Sequence, residues 1–400
     1  MRISTSAMHY KALQTMLAQQ ATLSKTQNQI ALGRRVVSPA DDPVASVHIM
    51  ELQRALQESE QYGANSNMAT NRLTLEEQAL QDIGTLLQGV SERAVQGNTD
   101  SVDPNSRKMI AMELRGRLNE LMDIANRRDA NGEYLFSGFS ASAQPFVRTG
   151  VTSVNYVGDQ NSRQLQIGPN QKVADSHSGY EVFVDISEGN GVFTTDAGAA
   201  NTGNGIIANG SVANMAQWVP DDYTIRFVDA VGNYEVLDSG GVQVTTGTYA
   251  ANSSIAFNGV SINMTGTPAM NDTFTVSRSR SEDIFTTMNE LIATLESNPI
   301  TDPQRAQFHT DMANAIQQLQ QSGDHLLGVR AEVGTRLSTL ENAENSREDL
   351  NVELKNMTSE LRDLDYAEAI TRMNQQLMGL EAAQASYSRI SQLSLFDYLR

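Results

Sequence analysis

Residues 312–340 read MANAIQQLQQSGDHLLGVRAEVGTRLSTL, and this stretch decides the fold class. Its apolar residues recur every seven positions, at Met312, Leu319, Leu326, Val333 and Leu340. A seven-residue apolar repeat places one face of a helix against a partner helix, as in a coiled coil. The segment therefore predicts a long helix that packs against another helix along its length.

Apolar stripes of the same kind run through both ends of the chain. The N-terminal ones comprise Met16, Leu23 and Ile30, flanked by Leu13 and Leu17, then Leu80, Ile83, Leu87, Val90 and Ala94, and finally Leu114, Leu118, Leu121 and Ala125. A C-terminal stripe comprises Leu350, Leu354, Met357, Leu361 and Leu364. The alternative is an ordinary helical bundle with period 3.6, but runs of this length favour coiled-coil packing.

The C-terminal stripe changes phase after Leu364. A new stripe on a rotated face is formed by Ile370, Met373, Leu377, Leu380 and Tyr387. A phase change locally alters the supercoil, so we predict a domain border here and a second rod beyond it. The last residues include Leu393 and Phe396, apolar groups that we expect to contact a partner.

Three Asp-Pro pairs mark predicted helix starts. Aspartate caps a helix by accepting backbone N–H groups, and proline is tolerated at the first helical position. The predicted caps are Asp42, Asp103 and Asp302. The predicted helices lie near residues 5–32, 43–96, 104–130, 282–297 and 303–396.

The middle of the chain is rich in Gly, Val, Thr, Asn and Asp, and its apolar residues alternate with polar ones, which predicts half-buried strands. Residues 223–237 predict two strands joined by a turn at 229–233. Residues 254–264 predict a hairpin with an Asn258-Gly259 turn of type I′.

Three further features are predicted in the same region. They are a hairpin between residues 155–159 and 164–167, a final strand at 273–276, and a long surface loop at 189–214. The loop at 189–214 could also separate two small β subdomains.

The order helix, strand, helix predicts an α+β multidomain fold. Its core would be a long antiparallel helical coiled-coil rod built from both chain ends, with an inserted β-rich domain. We predict three domains: a terminal helical assembly domain (1–42 with 361–400), an inner helical rod domain (43–137 with 282–360), and an inserted β-rich outer domain (138–281), which two subdomains could form.

Charge and composition exclude several function classes. The net charge is −18, which argues against nucleic acid as a partner and disfavours anionic membrane surfaces. The chain has no cysteine, so disulfides, thiolate zinc sites and thiol catalysis are excluded. No run of 18 apolar residues would span a bilayer, and no cleavable secretory signal opens the sequence.

A search for catalytic residues finds no constellation. Four of the five histidines fall on predicted helices, and His177, in a predicted turn near Asp175, is expected to be solvated. The pair Asp41-Asp42 could serve acid–base chemistry, but a helix N-terminus explains it better. Trp218 is expected in the β domain, in its core or on its surface. We therefore predict no enzyme, no cofactor and no metal site; the alternative is an enzyme in the β insert, for example a peptidase-like domain.

The terminal segments are unusual for a monomer. Each carries one narrow apolar stripe, and two helices paired alone are marginal until neighbours cover their other faces. We therefore predict folding on assembly; the alternative is that both segments dock on their own domain. The predicted assembly interface comprises Ile3, Leu13, Leu17, Leu23, Ile30, Leu361, Leu364, Ile370, Met373, Leu377, Leu380, Tyr387, Leu393 and Phe396.

Both chain ends also resemble the terminal signatures of bacterial flagellins and their relatives. The N-terminal match is MRIST at residues 1–5 followed by IALGRRVVSPADDP at residues 30–43. The C-terminal match is LRDLDYAEA at residues 361–369, running on through QASY at residues 384–387.

Further motifs resemble one branch of that superfamily, the hook–filament junction proteins. They are GEYLFSG at residues 132–138, SEDIF at 281–285 and VGTRL at 333–337. The stretch PAMNDTFTV at 268–276 resembles a β-domain motif shared with hook-associated protein 1, although Met270-Asn271 stands where the family often has glycine.

The resemblance implies a structural role in the extracellular bacterial flagellum. Such proteins are exported unfolded by the flagellar type III apparatus, with an export chaperone on the C-terminal helix. They self-associate as a ring between hook-associated protein 1 and the first flagellin layer. Flagellin itself, the filament subunit, is the alternative.

Overall fold

The structure is a computed structural model that describes residues 5–150 and 152–396. Its helices are α1 (Thr5–Leu32), α2 (Pro43–Gly97), α3 (Pro104–Ala125), α4 (Ile284–Glu296), α5 (Asp302–Arg362) and α6 (Tyr366–Phe396). A β-rich region lies between α3 and α4. The predicted α+β fold class, with long helices from both chain ends and an inserted β-rich region, is confirmed.

The β-rich region contains fourteen strands among the described residues and a π-helix at Tyr180–Val184. The strands are β1 (Phe146–Arg148), β2 (Val154–Tyr156), β3 (Gln164–Gly168), β4 (Gln171–Ala174), β5 (Ile186–Ser187), β6 (Phe193–Ala197), β7 (Ile206–Val212), β8 (Tyr223–Phe227), β9 (Asn233–Leu237), β10 (Gln243–Thr248), β11 (Ser254–Phe257), β12 (Val260–Thr265), β13 (Thr273–Arg278) and β14 (Ser281–Glu282).

The helix starts follow from local capping. Asp42 accepts the Ala45 N–H at 3.0 Å, and Asp103 accepts the Asn105 N–H at 2.9 Å. At α5 the prediction is wrong, because Asp302 is already the first helical residue and pairs with Arg305. The helix is capped instead by Thr301 and Gln304, whose side chains each accept the other residue's backbone N–H. This reciprocal pair is a capping box.

Two helix ends differ from the prediction. α3 ends at Ala125, because the Asn126 amide bonds both backbone groups of Phe146 and so turns the chain toward β1. The predicted helix 303–396 is interrupted at residues 363–365, where α5 gives way to α6.

The chain divides into two compact units, described separately here: residues 1–64 with 342–400, and residues 65–341. In the first unit α1 and α6 pair in antiparallel fashion, with the His9 and Tyr387 rings 5.7 Å apart. The second unit contains the inner parts of α2 and α5, both α3 and α4, and the whole β-rich region. The three predicted domains remain a prediction.

The second unit is built on the predicted helical seams. The repeats at residues 80–94, 114–125 and 312–340 are buried throughout. An aromatic cluster lies where the helices meet the β-rich region, and it consists of Phe136, Phe146, Phe183 and Phe285. The ring centroid of Phe146 is 5.1 Å from that of Phe183 and 5.1 Å from that of Phe285. α5 also bonds the β-rich region directly, since Asn314 Nδ2 donates to the Thr195 carbonyl at 2.7 Å.

Two antiparallel sheets share the main β core. Their strand orders are β10-β9-β8-β13-β6 and β11-β12-β7, and Trp218 lies in the core between them. The predicted hairpins at 223–237 and 254–264 are confirmed. Asn258 and Gly259 have φ of 42° and 77°, as a type I′ turn requires. The predicted strand at 273–276 is part of β13.

Two β predictions are wrong. Residues 155–159 and 164–167 do not pair with each other, because β2 pairs with β1 and β3 pairs with β4. The segment 189–214 is not a surface loop, since it contains β6 and β7, and Phe193 and Ile207 are fully buried.

Candidate functional site

Two interruptions of the helices face each other in the first unit. α1 ends before Gly33, which has φ of +67°, and α5 ends before residues 363–365. The Leu364 N–H donates to the Gly33 carbonyl at 3.0 Å, and the Arg35 N–H donates to the Arg362 carbonyl at 2.7 Å. The predicted phase change after Leu364 therefore coincides with a break in the helix.

The polar turn after α1 is held by Asp41. Its carboxylate lies 2.7 Å from Lys25 Nζ and accepts the N–H groups of Ser38 at 2.8 Å and Val37 at 3.1 Å. The Lys25 contact and these backbone donors lower the pKa of Asp41 to about 2. A depressed carboxyl pKa gives stability that is fully present above the unfolded value of 3.8 and is lost as the pH falls from there through about 2. The Asp41-Asp42 pair thus serves the turn and the cap of α2.

The predicted interface residues fall into four groups. Leu23 and Leu364 are buried, and Ile30, Leu361, Met373, Leu377, Leu380 and Tyr387 are half-buried. Leu13, Leu17 and Ile370 are 46%, 56% and 44% exposed. Ile3 and the side chains of Leu393 and Phe396 lie outside the described residues. The terminal pair therefore buries one stripe of each helix and leaves other apolar side chains open, among them Tyr10 and Met378.

A polar seam lies between α2 and α5 in the first unit, formed by Ser59, Gly63, Arg347 and Asn351. The Arg347 side chain crosses over Gly63, where a Cβ would overlap its guanidinium. Ser59 Oγ, Arg347 Nε and Asn351 Oδ1 are buried and have no hydrogen-bond partner in the described part of the chain. Buried polar atoms without partners are costly, so this seam is a weak part of the pairing.

The seam also corrects the predicted stripe at residues 350–364. Leu350 and Met357 are exposed, and their neighbours Asn351 and Thr358 face inward. A straight α-helix drifts by about 20° per heptad. By Arg347, five repeats beyond Met312, the drift reaches about 100°, the angle between successive residues, so the inward positions move by about one residue.

Asn351→Leu is expected to raise the free energy of unfolding of the first unit by about 1 kcal/mol, because it removes an unpaired buried polar group and adds apolar burial. Urea unfolding followed by circular dichroism would measure this change. The matched variant Leu350→Asn, on the exposed face, should change stability by less than about 0.5 kcal/mol. A lower free energy of unfolding in Asn351→Leu would contradict the claim that Asn351 weakens the pairing of α2 with α5.

A cluster of buried charges lies around Arg72 in the second unit. Arg72 Nη1 is 3.2 Å from both Asp129 Oδ2 and Glu133 Oε2. The fully buried Asp175 is 3.7 Å from Arg72 Nε and 2.6 Å from Arg163 Nη2. These contacts tie α2 to two segments that follow α3.

His177 is buried rather than solvated, which corrects the prediction. Its backbone N–H and its Nδ1 lie 3.1 Å and 2.7 Å from Glu76 Oε1, and its Nε2 lies 3.3 Å from Glu332 Oε2. Burial lowers the pKa of His177, but the hydrogen bond and charge of Glu76 outweigh it, so the net shift is upward. Sequence reasoning missed this pair because Glu76 lies 101 positions upstream.

An acidic cavity of about 490 Å³ lies between the β-rich region and helices α4 and α5. Its carboxylates are Glu188, Asp196, Glu282, Glu290 and Asp311. Burial, with the charge of Glu290, raises the pKa of Glu282 to about 7. Burial raises the pKa of Asp311 to about 6. The cavity is therefore under electrostatic strain at neutral and alkaline pH.

Glu282→Gln is expected to stabilise the protein at pH 8 by about 1–2 kcal/mol and to change little at pH 4. The folded-state pKa lies above the unfolded value of 4.5, so the cost of ionising Glu282 grows as the pH rises from about 4.5 to 7. Urea midpoints at both pH values measure the effect, with Glu120→Gln, on the exposed face of α3, as control. Equal stabilisation at the two pH values would contradict it.

Models of known families match three parts of this chain. The bacterial flagellin N-terminal helical region matches residues 3–141, and the C-terminal helical region matches residues 314–399. The D2-like domain of flagellar hook-associated protein 1 matches residues 197–278, which include the whole motif at 268–276. No helix among the described residues is long and apolar enough to cross a membrane.

Similar proteins are known from several bacteria. The crystal structure of Xanthomonas campestris FlgL is 34% identical, with a TM-score of 0.72 over 77% of this chain and 99% of that one. Flagellar hook associated protein-3 from Legionella pneumophila is 30% identical, with a TM-score of 0.74 over 78% of this chain and 98% of that one. Flagellar hook-associated protein 3 of Escherichia coli strain K12 is 28% identical over 221 residues, which are 55% of this chain and 68% of that protein.

Proposed function

Because this chain belongs to the flagellar hook-associated protein 3 family, also called FlgL, we propose that it is the structural adaptor that joins the hook to the filament of a bacterial flagellum. The observation that carries the proposal is the terminal helix pair, which is antiparallel and leaves apolar side chains open on both helices. A pair of this kind is completed by neighbouring subunits.

The terminal pair supplies the energy of assembly. Leu13, Leu17, Ile370 and Met378 are each between 44% and 61% exposed. Complete burial of such a side chain contributes about 1.5–3 kcal/mol, so covering the exposed half of each would contribute roughly 1 kcal/mol. We infer that the predicted interface residues pack against neighbouring subunits, several of them at each contact.

We further infer the partners of the assembled protein. Copies of the chain associate as a ring, with hook-associated protein 1 on one side and flagellin on the other. Before assembly an export chaperone holds α6, and the chain leaves the cell unfolded. The absence of cysteine is compatible with that route, and the net charge of −18 fits neither nucleic acid nor an anionic membrane as partner.

The proposed role needs no catalytic activity. The relatives at 28–34% identity are named as FlgL or as flagellar hook-associated protein 3. None of the clusters described above needs a catalytic role to explain it, because each cluster links secondary-structure elements.

A seeded polymerisation assay separates this role from that of flagellin. Purified chain added to hooks that carry hook-associated protein 1 should bind their ends and stop after one ring. Long homopolymers would overturn the junction role in favour of a filament subunit. In cells, deletion of the gene should give hooks without filaments, with flagellin lost to the medium.

A further inference from the structure

Three potential metal ligands converge in the second unit. One donor atom from each of His177, Glu181 and Glu332 lies within 4.8 Å of the other two. The His177 Nε2 and the Glu332 Oε2 are already 3.3 Å apart. A tetrahedral Zn²⁺ with bonds of about 2.0–2.2 Å spaces its ligand atoms by roughly 3.3–3.6 Å. Glu181 and Glu332 are exposed, so a change of side-chain rotamer can bring their carboxylates from within 4.8 Å to the spacing that zinc requires.

A second carboxylate orients the histidine. Glu76 is fully buried, and its Oε1 lies 2.7 Å from His177 Nδ1. In this geometry Nδ1–H donates to Glu76, so that in the neutral ring the lone pair of Nε2 faces Glu332. Metal-binding histidines usually donate their other ring N–H to a carboxylate or carbonyl in this way, which fixes the tautomer and strengthens the ligand. An ordinary surface histidine has no buried carboxylate behind it.

The local charge balance favours a cation. Glu76, Glu181 and Glu332 are acidic, and Arg336 contacts this cluster, with Nη2 3.3 Å from Glu332 Oε2 and Nη1 3.4 Å from His177 Nδ1. With a neutral His177, two negative charges are left uncompensated. A proton on His177 or a divalent ion bound at Nε2 can supply positive charge. The proton balances one of the two negative charges, whereas a divalent ion balances both of them.

The ligands come from elements that are positioned independently. His177 precedes the π-helix and Glu181 lies within it, whereas Glu332 is on α5. His325, also on α5, bonds the Glu181 carbonyl through Nε2 at 2.7 Å. π-helical turns are rare and are frequent at functional sites. An ion here would link the π-helix to α5.

We propose that His177, Glu181 and Glu332 bind one divalent transition-metal ion, with Zn²⁺ the best match, and that Glu76 is the positioning residue for His177. Imidazole with carboxylate oxygens and an open fourth position suits zinc. The ion fastens the β-rich region to α5. The site lies outside the terminal helices, so its failure would leave the proposed junction role untouched.

Zinc titration of the full chain tests the site. After treatment with a chelator, the protein is titrated with ZnCl₂ in a calorimeter and melted with and without zinc. We expect one ion per chain and a rise in melting temperature of about 5 °C when zinc exceeds its dissociation constant a hundredfold. Absence of both heat and stabilisation at about 0.1 mM zinc, well above the affinity range of such sites, would overturn the proposal.

Variants separate a metal site from a merely structural cluster. Glu181→Gln and Glu332→Gln remove exposed ligands without leaving a buried charge, so both should fold, and each should weaken zinc binding at least tenfold. His177→Gln should abolish binding, whereas His309→Gln, whose ring contacts Asn98 and Asp100, should bind as the unaltered chain does. Unchanged affinity in Glu181→Gln and Glu332→Gln would overturn the proposal even if His177→Gln failed to fold.

Discussion

Deletion of residues 366–400 is expected to abolish incorporation into flagella and to leave the second unit folded. The deletion removes α6, so that α1 loses its partner helix, and an isolated helix of 28 residues with this composition is marginal in water. The second unit has its own core and does not contain α6. Motility and immunoblots of sheared flagella measure incorporation, and limited proteolysis measures folding of the second unit.

Point variants test whether the exposed apolar side chains of α1 and α6 are what incorporation into flagella requires. The double variant Leu17→Gln with Ile370→Gln changes exposed side chains, so its free energy of unfolding should stay within about 1 kcal/mol of the original while assembly is lost. Met215→Gln, which changes a 63% exposed apolar residue in the second unit, should assemble normally. Incorporation of the truncated chain would refute the role of α6.

Aspartate within the terminal pair should have the same consequence as the deletion. Leu377→Asp and Leu380→Asp each place a carboxylate at a half-buried position of α6 in the terminal pair. We expect non-motile cells with a normally folded β-rich region. Normal motility with either variant would contradict a role of these α6 positions in assembly.

Arg72→Ala is expected to destabilise the second unit by about 3–5 kcal/mol, the usual cost of removing one partner from a buried ion cluster. The guanidinium is 6% exposed and lies between Asp129, Glu133 and the fully buried Asp175. Without it, Arg163 is the one cationic side chain among the described residues that still pairs with Asp175. Urea unfolding monitored by Trp218 fluorescence reports on this unit.

The control for Arg72 is Arg127→Ala. Arg127 pairs with Asp82 at 2.7 Å, but the two side chains are 32% and 52% exposed. Exposed pairs contribute about 0–1 kcal/mol, so this variant should remain near the original stability. Equal decreases in the free energy of unfolding of the two variants would show that burial does not make the ion pairs around Arg72 more important for stability.

Local patterns in the sequence predicted two hairpins and the positions of the helices, apart from the end of α3 and the break between α5 and α6. The repeat at Met312–Leu340 predicts burial because its five members lie on one face of α5, and Asn258-Gly259 defines its turn within two residues. The prediction of a surface loop at 189–214 is wrong because a stretch rich in Gly, Asn and Ala and low in apolar residues can also form strands, here β6 and β7. At Gly210 in β7 a Cβ would overlap the Ser261 carbonyl of the neighbouring strand, so glycine here permits close strand contact.

The charged clusters could not be predicted from sequence for a different reason. His177 meets Glu76 and Glu332 only after α2, the β-rich region and α5 have packed, and Arg72 meets Asp129 across 57 positions. No local spacing encodes such contacts. The inward position of Asn351 was missed because the helix drift that places it accumulates over several heptads.

The polar seam at Ser59, Gly63, Arg347 and Asn351 makes α2 and α5 unequal in strength along their length. Amide hydrogens beside it should exchange with solvent at a lower opening free energy than those beside the apolar repeat at residues 312–340. Local unfolding of the α2–α5 pair should therefore begin at the polar seam, before the apolar repeat opens.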